Sequence, residues 1–582
     1  PDAPYFNLTA DRDALLHVQV TAENENARAP ELTAIIETEE GYRESLSLEA
    51  PRTLPMPDEI SSELGKVEHR FDDTYNITLP KAYIQPGLTV SLQLEGEEVW
   101  RERIDVSAPN AMPMFMFDIH FFAADLIRDY TESVIPELEA KWPVSTLDVE
   151  RVRDIRFKEL VIPPRGMIPA ARVSSQAEYF EKTGYQFDGE QAAALQWVRA
   201  LSAANGQGQL GLTYVNIIGV PSGGQAGGFG GVGQISEAGI LHHELGHAFG
   251  LPHWGNDKNY PYKGDMHGIK ARDIYNFTHA GPVWAYDLAK QQFLPSTVRK
   301  GFVNIRGLKP EEVLGTFTAD PMQGGGRGEQ PAGYNLRHFS DYSVWRMQKY
   351  IESRQLLLRD GHYYFWNDQT KGYETPTNDR EIGYRRPIPE SIGKPVLSVM
   401  VTATLADIDI NMVYPPIGPY KGNLLYTFDP MSSMDIMQAN SLNFCPEEGC
   451  DFTLKIQQNG QEKLFMVPFS GVPGSTASKI GDIRTFAINV PASDGDISSA
   501  SLWLTPDANI DGLCEDCGEL LYIWEASSEA ENQTSATHSQ KGLSASHNYK
   551  TLDAEDNILL ALEKSDSSAT EASDEHAFCD HP

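Results

Sequence analysis

The feature that most constrains this chain is a pattern of histidines in residues 236–255, SEAGILHHELGHAFGLPHWG. His243 and His247 are spaced so that, on an α-helix, both imidazoles project from one face and can reach the same cation. Ser236 is a candidate N-cap, and the residues after it are mostly apolar or good helix formers. The segment therefore predicts a helix over 237–249 that carries two metal ligands.

A glycine and a third histidine follow the helix. Gly250 can adopt the left-handed conformation that ends a helix, and such a turn would bring His253 back to the first two histidines. Three imidazoles leave one position of a tetrahedral Zn²⁺ open for water, as in catalytic zinc sites. Glu244 is placed to act as the general base for that water. His242 points about 100° away on the helical wheel and is predicted to be structural.

The histidine motif is long enough that a chance match is improbable. A bare His-Glu-x-x-His arises often by chance, but the added glycine and third histidine at fixed offsets are typical of metzincin proteases. Such a site also needs a Met-containing turn beneath the metal. Met322, in TADPMQGGG, is favoured over Met266, in YKGDMHG, because Met266 follows the last ligand too closely for an intervening subdomain. This choice makes residues 254–318 an insert between ligand and turn.

Hydrophobic periodicity predicts a multidomain α+β protein, with a mixed α/β unit between two β-sandwich domains. The histidine motif lies in the central unit, which is therefore predicted to be a metzincin-like zinc protease domain. Short β-rich runs separated by turn formers predict strands in both flanks, at 15–20, 32–38 and 88–96 and again at 396–405, 452–460 and 501–506. The last part of the chain is rich in Ser, Glu, Asp, Ala and Asn with few aromatics. The predicted units are a β-sandwich at 1–108, the catalytic domain at 109–395, a second β-sandwich at 396–526, and an acidic, largely disordered tail at 527–582 with a candidate helix at 551–565.

Within the predicted catalytic domain, amphipathic patterns predict helices at 121–142 and 189–205, and an apolar run predicts a strand at 212–220. A glycine-rich stretch at 221–234 precedes the histidine helix, and its glycines allow unusual backbone angles and close approach of other groups. It lacks the Lys-Ser/Thr pair that ends a phosphate-binding loop.

The net charge of the chain argues against some classes of binding partner. The chain has 82 Asp plus Glu against 47 Lys plus Arg, a formal net charge of -35, so its surface should repel nucleic acid and anionic lipid. No window approaches the ~20 consecutive apolar residues of a membrane span. We expect any export signal or lipid anchor to have preceded Pro1.

Five cysteines leave two interpretations open. Cys445 and Cys450, with Cys514 and Cys517, could form two disulfides in an oxidising compartment or one structural zinc site with four thiolates. The loose spacing favours disulfides. Cys579 would then be the odd thiol.

Three stretches resemble one known family, the StcE/TagA/dictomallein-like secreted bacterial zinc metallopeptidases of peptidase family M66. They are HELGHAFGLPHW at 243–254, TADPMQGGG at 318–326, and residues 338–374, in which a helix leads to a turn carrying Trp366-Asn367-Asp368. The resemblance implies an exported enzyme with an Ig-like module before the catalytic domain and a β-rich module after it. It also implies cleavage of densely O-glycosylated, mucin-like proteins.

The sequence thus predicts a secreted or extracellular bacterial zinc metalloendopeptidase, or one held at the cell surface as a lipoprotein, that acts on proteins or glycoproteins, binds no nucleic acid and has no transmembrane segment. The alternative is a non-catalytic adhesin or glycan-binding protein with a vestigial metal site, which the β-rich flanks favour and the intact Glu244 opposes. Six groups could line a substrate cleft, although each is more often a core residue: Trp254, Tyr260, Tyr262, His279, Trp284 and Tyr334.

Overall fold

The protein is described by a computed structural model. The residues that it describes are 4–24, 26–39, 41–60, 69–126, 128–206, 211–266, 268–297, 316–323, 333–354, 356–359, 362–375, 388–445, 449–471, 473–474, 476–510, 512–513 and 518–526. The fold is mixed α/β, with several sheets and six α-helices among these residues. The predicted tail at 527–582 lies outside them.

The N-terminal part forms antiparallel sheets. A four-stranded sheet has the order β3-β2-β5-β6, and β1 pairs with β4. Both contribute to one apolar core that includes Ile36, Tyr75 and Leu79. The strands predicted near 15–20, 32–38 and 88–96 are confirmed, whereas their Ig-like arrangement stays a prediction. The strands are β1 Ala14–Val18, β2 Leu32–Glu37, β3 Arg43–Ser47, β4 Tyr75–Leu79, β5 Thr89–Leu94 and β6 Glu97–Arg103.

The central part is built on a five-stranded sheet of order β12-β13-β11-β7-β8. All its pairings are parallel except that β12, at the edge, runs antiparallel to β13. The strands here are β7 Ala111–Phe121, β8 Thr146–Phe157, β9 Leu160–Ile162, β10 Ala171–Val173, β11 Leu212–Ile218, β12 Gly224–Gly227 and β13 Gly230–Gln234. The helices are α1 Thr131–Lys141, α2 Gln176–Thr183, α3 Glu190–Ala204 and α4 Ala238–Ala248.

Alternation along β7 divides the central core into two layers. Phe117 and Ile119 belong to the layer that contains α3, while Met114 and Met116 belong to the layer that contains α4. Successive side chains of a strand point to opposite faces, so one buried strand supplies both layers. The sheet thus has apolar packing on each side, and α4 lies on one of them.

The helix predicted at 121–142 is wrong in its first half. Phe121 is the last residue of β7, paired with Phe157, and Phe122 and Ala123 take positive φ angles of 54° and 53° that turn the chain away. Helix α1 begins only at Thr131. The burial of Phe121 in the sheet overrides its local helical pattern.

Short elements connect α4 to the C-terminal part, where two four-stranded antiparallel sheets share an apolar core that includes Val399, Val401, Leu454 and Leu502. The strands predicted near 396–405, 452–460 and 501–506 are confirmed. The sandwich arrangement stays a prediction. The connecting elements are β14 Ala285–Asp287, β15 Gln292–Leu294, α5 Asp341–Arg354, β16 Leu356–Arg359, β17 His362–Asn367 and β18 Gly372–Glu374. The C-terminal elements are β19 Ser391–Ala403, β20 Met412–Val413, β21 Ile417–Leu424, α6 Ser433–Ser441, β22 Phe452–Gln458, β23 Gln461–Val467, β24 Arg484–Pro491, β25 Ile497–Leu504 and β26 Glu519–Glu525.

The C-terminal sheets pack against the central part of the chain. The boundary predicted between residues 395 and 396 lies inside β19, and Val396, Met400 and Ala487 pack in the same core layer as α3. Residues Pro1–Ala526 accordingly form one compact unit. None of the helices in the described part of the chain combines the length and apolar character needed to cross a membrane.

The structure decides between the two interpretations of the cysteines. Cys445 and Cys450 form a disulfide, so a zinc site built from four thiolates is wrong. Cys514, Cys517 and Cys579 lie outside the described residues.

Candidate metal centre

Helix α4 forms where the sequence predicts a helix and carries His243 and His247, although its N-cap is a different residue. Glu237, not Ser236, occupies the N-cap position, and it makes no side-chain capping hydrogen bond. Ser236 instead accepts a hydrogen bond from Gln234 at the end of β13. The helix ends at Ala248, and Gly250 has a φ of +78°, the left-handed conformation predicted for it.

The three predicted imidazoles meet at one point. The Nε2 atom of His253 lies 3.1 Å from Nε2 of His243 and 3.1 Å from Nε2 of His247. In a tetrahedral zinc site with bonds of about 2.05 Å, neighbouring nitrogens stand about 3.3 Å apart. These two distances, with the ligand atoms of all three residues within 4.8 Å of one another, fit one small divalent cation.

The opposite ring nitrogens of two ligands have backbone partners. Nδ1 of His243 lies 2.8 Å from the carbonyl oxygen of Pro321, and Nδ1 of His247 lies 2.6 Å from that of Leu251. A carbonyl only accepts, so each Nδ1 is the protonated nitrogen and each Nε2 carries the lone pair that a metal needs. Burial, and then the neighbouring imidazoles, lower the pKa of His243 to about 3, and burial also lowers that of His247. Neutral rings with this tautomer are the form that binds zinc.

Glu244 lies beside the cluster but is not one of the groups whose ligand atoms converge there. Glu244 is only 7% exposed, and burial raises the pKa of its carboxyl group to about 8. A carboxyl group that titrates near neutral pH can both take and release a proton. The cation charge beside it would favour the carboxylate form.

The glycine-rich stretch makes room for Glu244. It forms the hairpin β12–β13, and a Cβ atom on Gly224 would collide with the Glu244 carboxylate and would lie 2.5 Å from its Cγ. A Cβ atom on Gly231 would lie 2.9 Å from Cβ of Glu244. The conformational freedom of these glycines is evident from the sequence, but the residue that they accommodate is not.

Met322 lies in a tight turn beneath α4. The backbone N–H of Gln323 donates to the carbonyl of Asp320, and the Met322 side chain is fully buried. A Cβ atom on Gly246, between the two helical ligands, would collide with Sδ of Met322. Met266 is only partly buried, at the edge of the apolar cluster that contains Met322.

His242 has a different set of partners from His243. Trp142 Nε1 donates to its Nδ1 at 3.3 Å, and its Nε2 lies 3.1 Å from the carbonyl oxygen of Arg337. Burial lowers the pKa of His242 well below its ordinary value, so the ring is neutral. This arrangement agrees with the predicted structural role.

The aromatic candidates for a cleft are mainly core residues. Trp254 and Tyr260 stack with ring centroids 4.7 Å apart, and the Tyr262 hydroxyl donates to Asp341 at 2.6 Å. Of the six, only Trp284 is partly exposed, and the remaining five are buried: Trp254, Tyr260, Tyr262, His279 and Tyr334. Those five side chains are therefore core residues.

One buried residue of the site was missed by sequence analysis. Asp320 is fully buried and accepts hydrogen bonds from the Met322 N–H, the Ser340 N–H and the Ser343 hydroxyl. An Asp directly before a Pro-Met turn was visible in the sequence, but two of its three donors lie about twenty positions further along the chain.

Comparison with known proteins places the chain among peptidases. A family model described as peptidase M66 matches residues 66–356, half of the 582-residue chain, including the three histidines, Glu244 and Met322. The chain is 29% identical over 520 residues to dictomallein of Burkholderia pseudomallei strain 1710b, covering 79% of this chain and 72% of that protein. Dictomallein of Burkholderia mallei strain SAVP1 matches with the same identity and coverage. Dictomallein-1 of Dictyostelium discoideum is 24% identical over 463 residues, covering 72% of this chain and 74% of that protein.

Proposed function

The chain belongs to the peptidase M66 family, and we propose that it is a zinc-dependent metalloendopeptidase that hydrolyses peptide bonds outside the cytoplasm. The observation that carries the proposal is the convergence of three Nε2 atoms, from His243, His247 and His253, to spacings that suit one Zn²⁺. Three neutral imidazoles with an adjacent free carboxyl group are the donor set of a hydrolytic zinc site.

Each residue has a distinct role in this proposal. The three histidines hold the metal, and Met322 closes the site from below. Zn²⁺, when bound, supplies Lewis-acid activation of water and of the scissile carbonyl. Glu244 takes the proton from the attacking water and then delivers it to the departing amine nitrogen. Its buried position limits competing hydrogen bonds from solvent and suits this exchange.

Location and substrate form the finer part of the proposal. The Cys445–Cys450 disulfide supports an oxidising, extracellular compartment. The resemblance of the three motif stretches supports mucin-like, O-glycosylated proteins as substrates. Cleavage of a mucin is expected to fall when its O-glycans have been removed, and equal cleavage of both forms would favour a general protease.

The central test separates metal binding from catalysis. Purified protein is expected to contain about one zinc per chain, measured by elemental analysis, and to lose proteolysis on chelation. Glu244→Gln is expected to keep the zinc and to lower kcat at least about 100-fold, because the general base is gone. The exposed Glu181→Gln on α2 is the matched control and should leave both unchanged.

Two results would contradict the proposal. Full activity of zinc-loaded Glu244→Gln would remove the assigned base. A protein that binds zinc but cleaves no protein would favour the alternative of an adhesin with a vestigial site.

A further inference from the structure

A buried carboxylate links the Met-containing turn to the start of helix α5. Asp320 is 0% exposed. Its Oδ1 accepts from the N–H of Met322 at 2.9 Å, and its Oδ2 accepts from the N–H of Ser340 at 2.8 Å and from the hydroxyl of Ser343 at 2.7 Å. A buried carboxylate is costly unless such bonds compensate it, so the group holds the turn and the helix in one arrangement.

The same carboxylate is connected to the third histidine. Trp254, the residue after His253, donates from its indole Nε1 to Oγ of Ser343 at 2.9 Å, and Ser343 donates in turn to Asp320. The backbone N–H of Trp254 also donates to the carbonyl of Met322 at 3.3 Å. The segment that carries His253 is therefore tied to the turn by two routes.

The first histidine is tied to the turn as well. The carbonyl of Pro321, the residue after Asp320, accepts from Nδ1 of His243 at 2.8 Å. Through Pro321 on one side and Ser343 with Trp254 on the other, Asp320 lies behind two of the three imidazoles. Displacement of its turn would change the distance between those rings.

We propose that Asp320, acting through Ser343 and Trp254, is a positioning residue that sets the separation of His243 and His253. This inference rests on the proposed function, because it assigns to Asp320 a role in the affinity of that same site for zinc. Outer groups that orient metal ligands typically contribute 10- to 100-fold to metal affinity or activity.

Variants along the bond chain test the proposal. Asp320→Asn keeps the size of the side chain but replaces one acceptor oxygen with an amide that faces the N–H and O–H donors. Ser343→Ala removes the bridging hydroxyl, and Trp254→Phe removes the indole N–H while keeping a ring to stack on Tyr260. Ser353→Ala is the matched control, since it is on the same helix and its exposed hydroxyl donates to the Tyr350 carbonyl.

The readouts are the zinc dissociation constant, from competition with a chelator, and the visible spectrum of the Co²⁺-substituted protein. Asp320→Asn is expected to weaken zinc binding 10- to 100-fold and to alter the Co²⁺ bands. Ser343→Ala and Trp254→Phe should each weaken it about tenfold, and the double variant should be no weaker than either single one, because both break the same connection. Lowered kcat with little change in KM should accompany these losses.

The outcomes separate this inference from the proposed function. If wild-type protein binds no zinc, the proposed function fails and this inference with it. If wild-type protein binds zinc, and Ser343→Ala and Trp254→Phe match Ser353→Ala in affinity and Co²⁺ spectrum, only the positioning role of Asp320 is overturned, even where thermal stability has fallen. Should Asp320→Asn fail to fold, these two variants decide the question.

Discussion

At the scale of single residues, the centre depends on one glycine conformation. Gly250 ends α4 with a φ of +78° and directs the chain towards His253, and a Cβ atom there would lie 2.6 Å from Cδ2 of Tyr350. Gly184, at the end of α2, has the same φ of +78° but nothing within 4 Å of a built Cβ. At both positions an alanine would have to adopt the left-handed conformation. Only at Gly250 would its Cβ atom also meet another side chain.

This pair permits a clean prediction. Gly184→Ala should lower the free energy of unfolding by about 1 kcal/mol, the cost of a left-handed alanine. Gly250→Ala should cost roughly 1–3 kcal/mol more, because Tyr350 must move. Urea unfolding of the chelator-treated proteins measures both values, and zinc binding should weaken in the Gly250 variant alone. An equal loss of unfolding free energy in the two variants would show that the Tyr350 ring moves aside at no measurable cost.

At the scale of elements, the β12–β13 hairpin shapes the space around Glu244. Gly224 faces α4, where an added Cβ would lie 2.5 Å from Cγ2 of Ile240 and would collide with the Glu244 carboxylate. Gly227, on the same strand, would meet only the mobile end of Arg199, at 3.2 Å, and the Leu195 side chain, at 3.5 Å. Strand β12 therefore offers one glycine, Gly224, at which an added side chain would crowd Glu244, and another, Gly227, at which it would not.

We expect Gly224→Ala to lower kcat at least about tenfold while zinc stays bound, because the Glu244 carboxylate is pushed from its place next to the metal. Gly227→Ala should remain close to wild type. Steady-state cleavage of a protein substrate, together with zinc content, measures the effect. If the two variants have the same kcat, the hairpin does not constrain Glu244.

At the scale of the whole molecule, helix α3 joins the central sheet to the C-terminal sheets. Nδ2 of Asn489, on β24, donates to Oδ1 of Asn205 at 2.9 Å and to the carbonyl of Asn423 at 2.8 Å. Asn205, directly after α3, also donates to the Tyr420 hydroxyl at 2.9 Å. These buried bonds connect the C-terminal sheets to α3 within the compact unit Pro1–Ala526, and the predicted domain limits stay a prediction.

Removal of this network should destabilise the entire unit. Asn489→Ala leaves buried donors and acceptors without partners and is expected to cost about 3 kcal/mol, whereas Gln461→Ala, at the exposed first position of β23, should cost less than about 0.5 kcal/mol. Urea unfolding followed by tryptophan fluorescence should show one shifted transition. Two separate transitions would indicate that the C-terminal sheets unfold independently.

Local patterns in the sequence were enough to identify several parts of the structure. Helical spacing put His243 and His247 on one face, Gly250 marked the left-handed turn, and alternating apolar runs marked the main strands. These features depend on backbone geometry within a few residues, which the identity of neighbouring residues largely controls.

Other features were decided only by tertiary structure. The partner of His243 Nδ1 is a carbonyl 78 residues further along the chain, and no local pattern encodes that contact. The same holds for Asp320, for the glycines that leave room for Glu244, and for α3, which is buried between two sheets. Burial also overruled local preference where Phe121 extended β7 instead of starting a helix. The sequence by itself determined which residues can bind a metal, whereas long-range packing decided how closely they are held, because distances between ligands depend on every element that the chain places behind them.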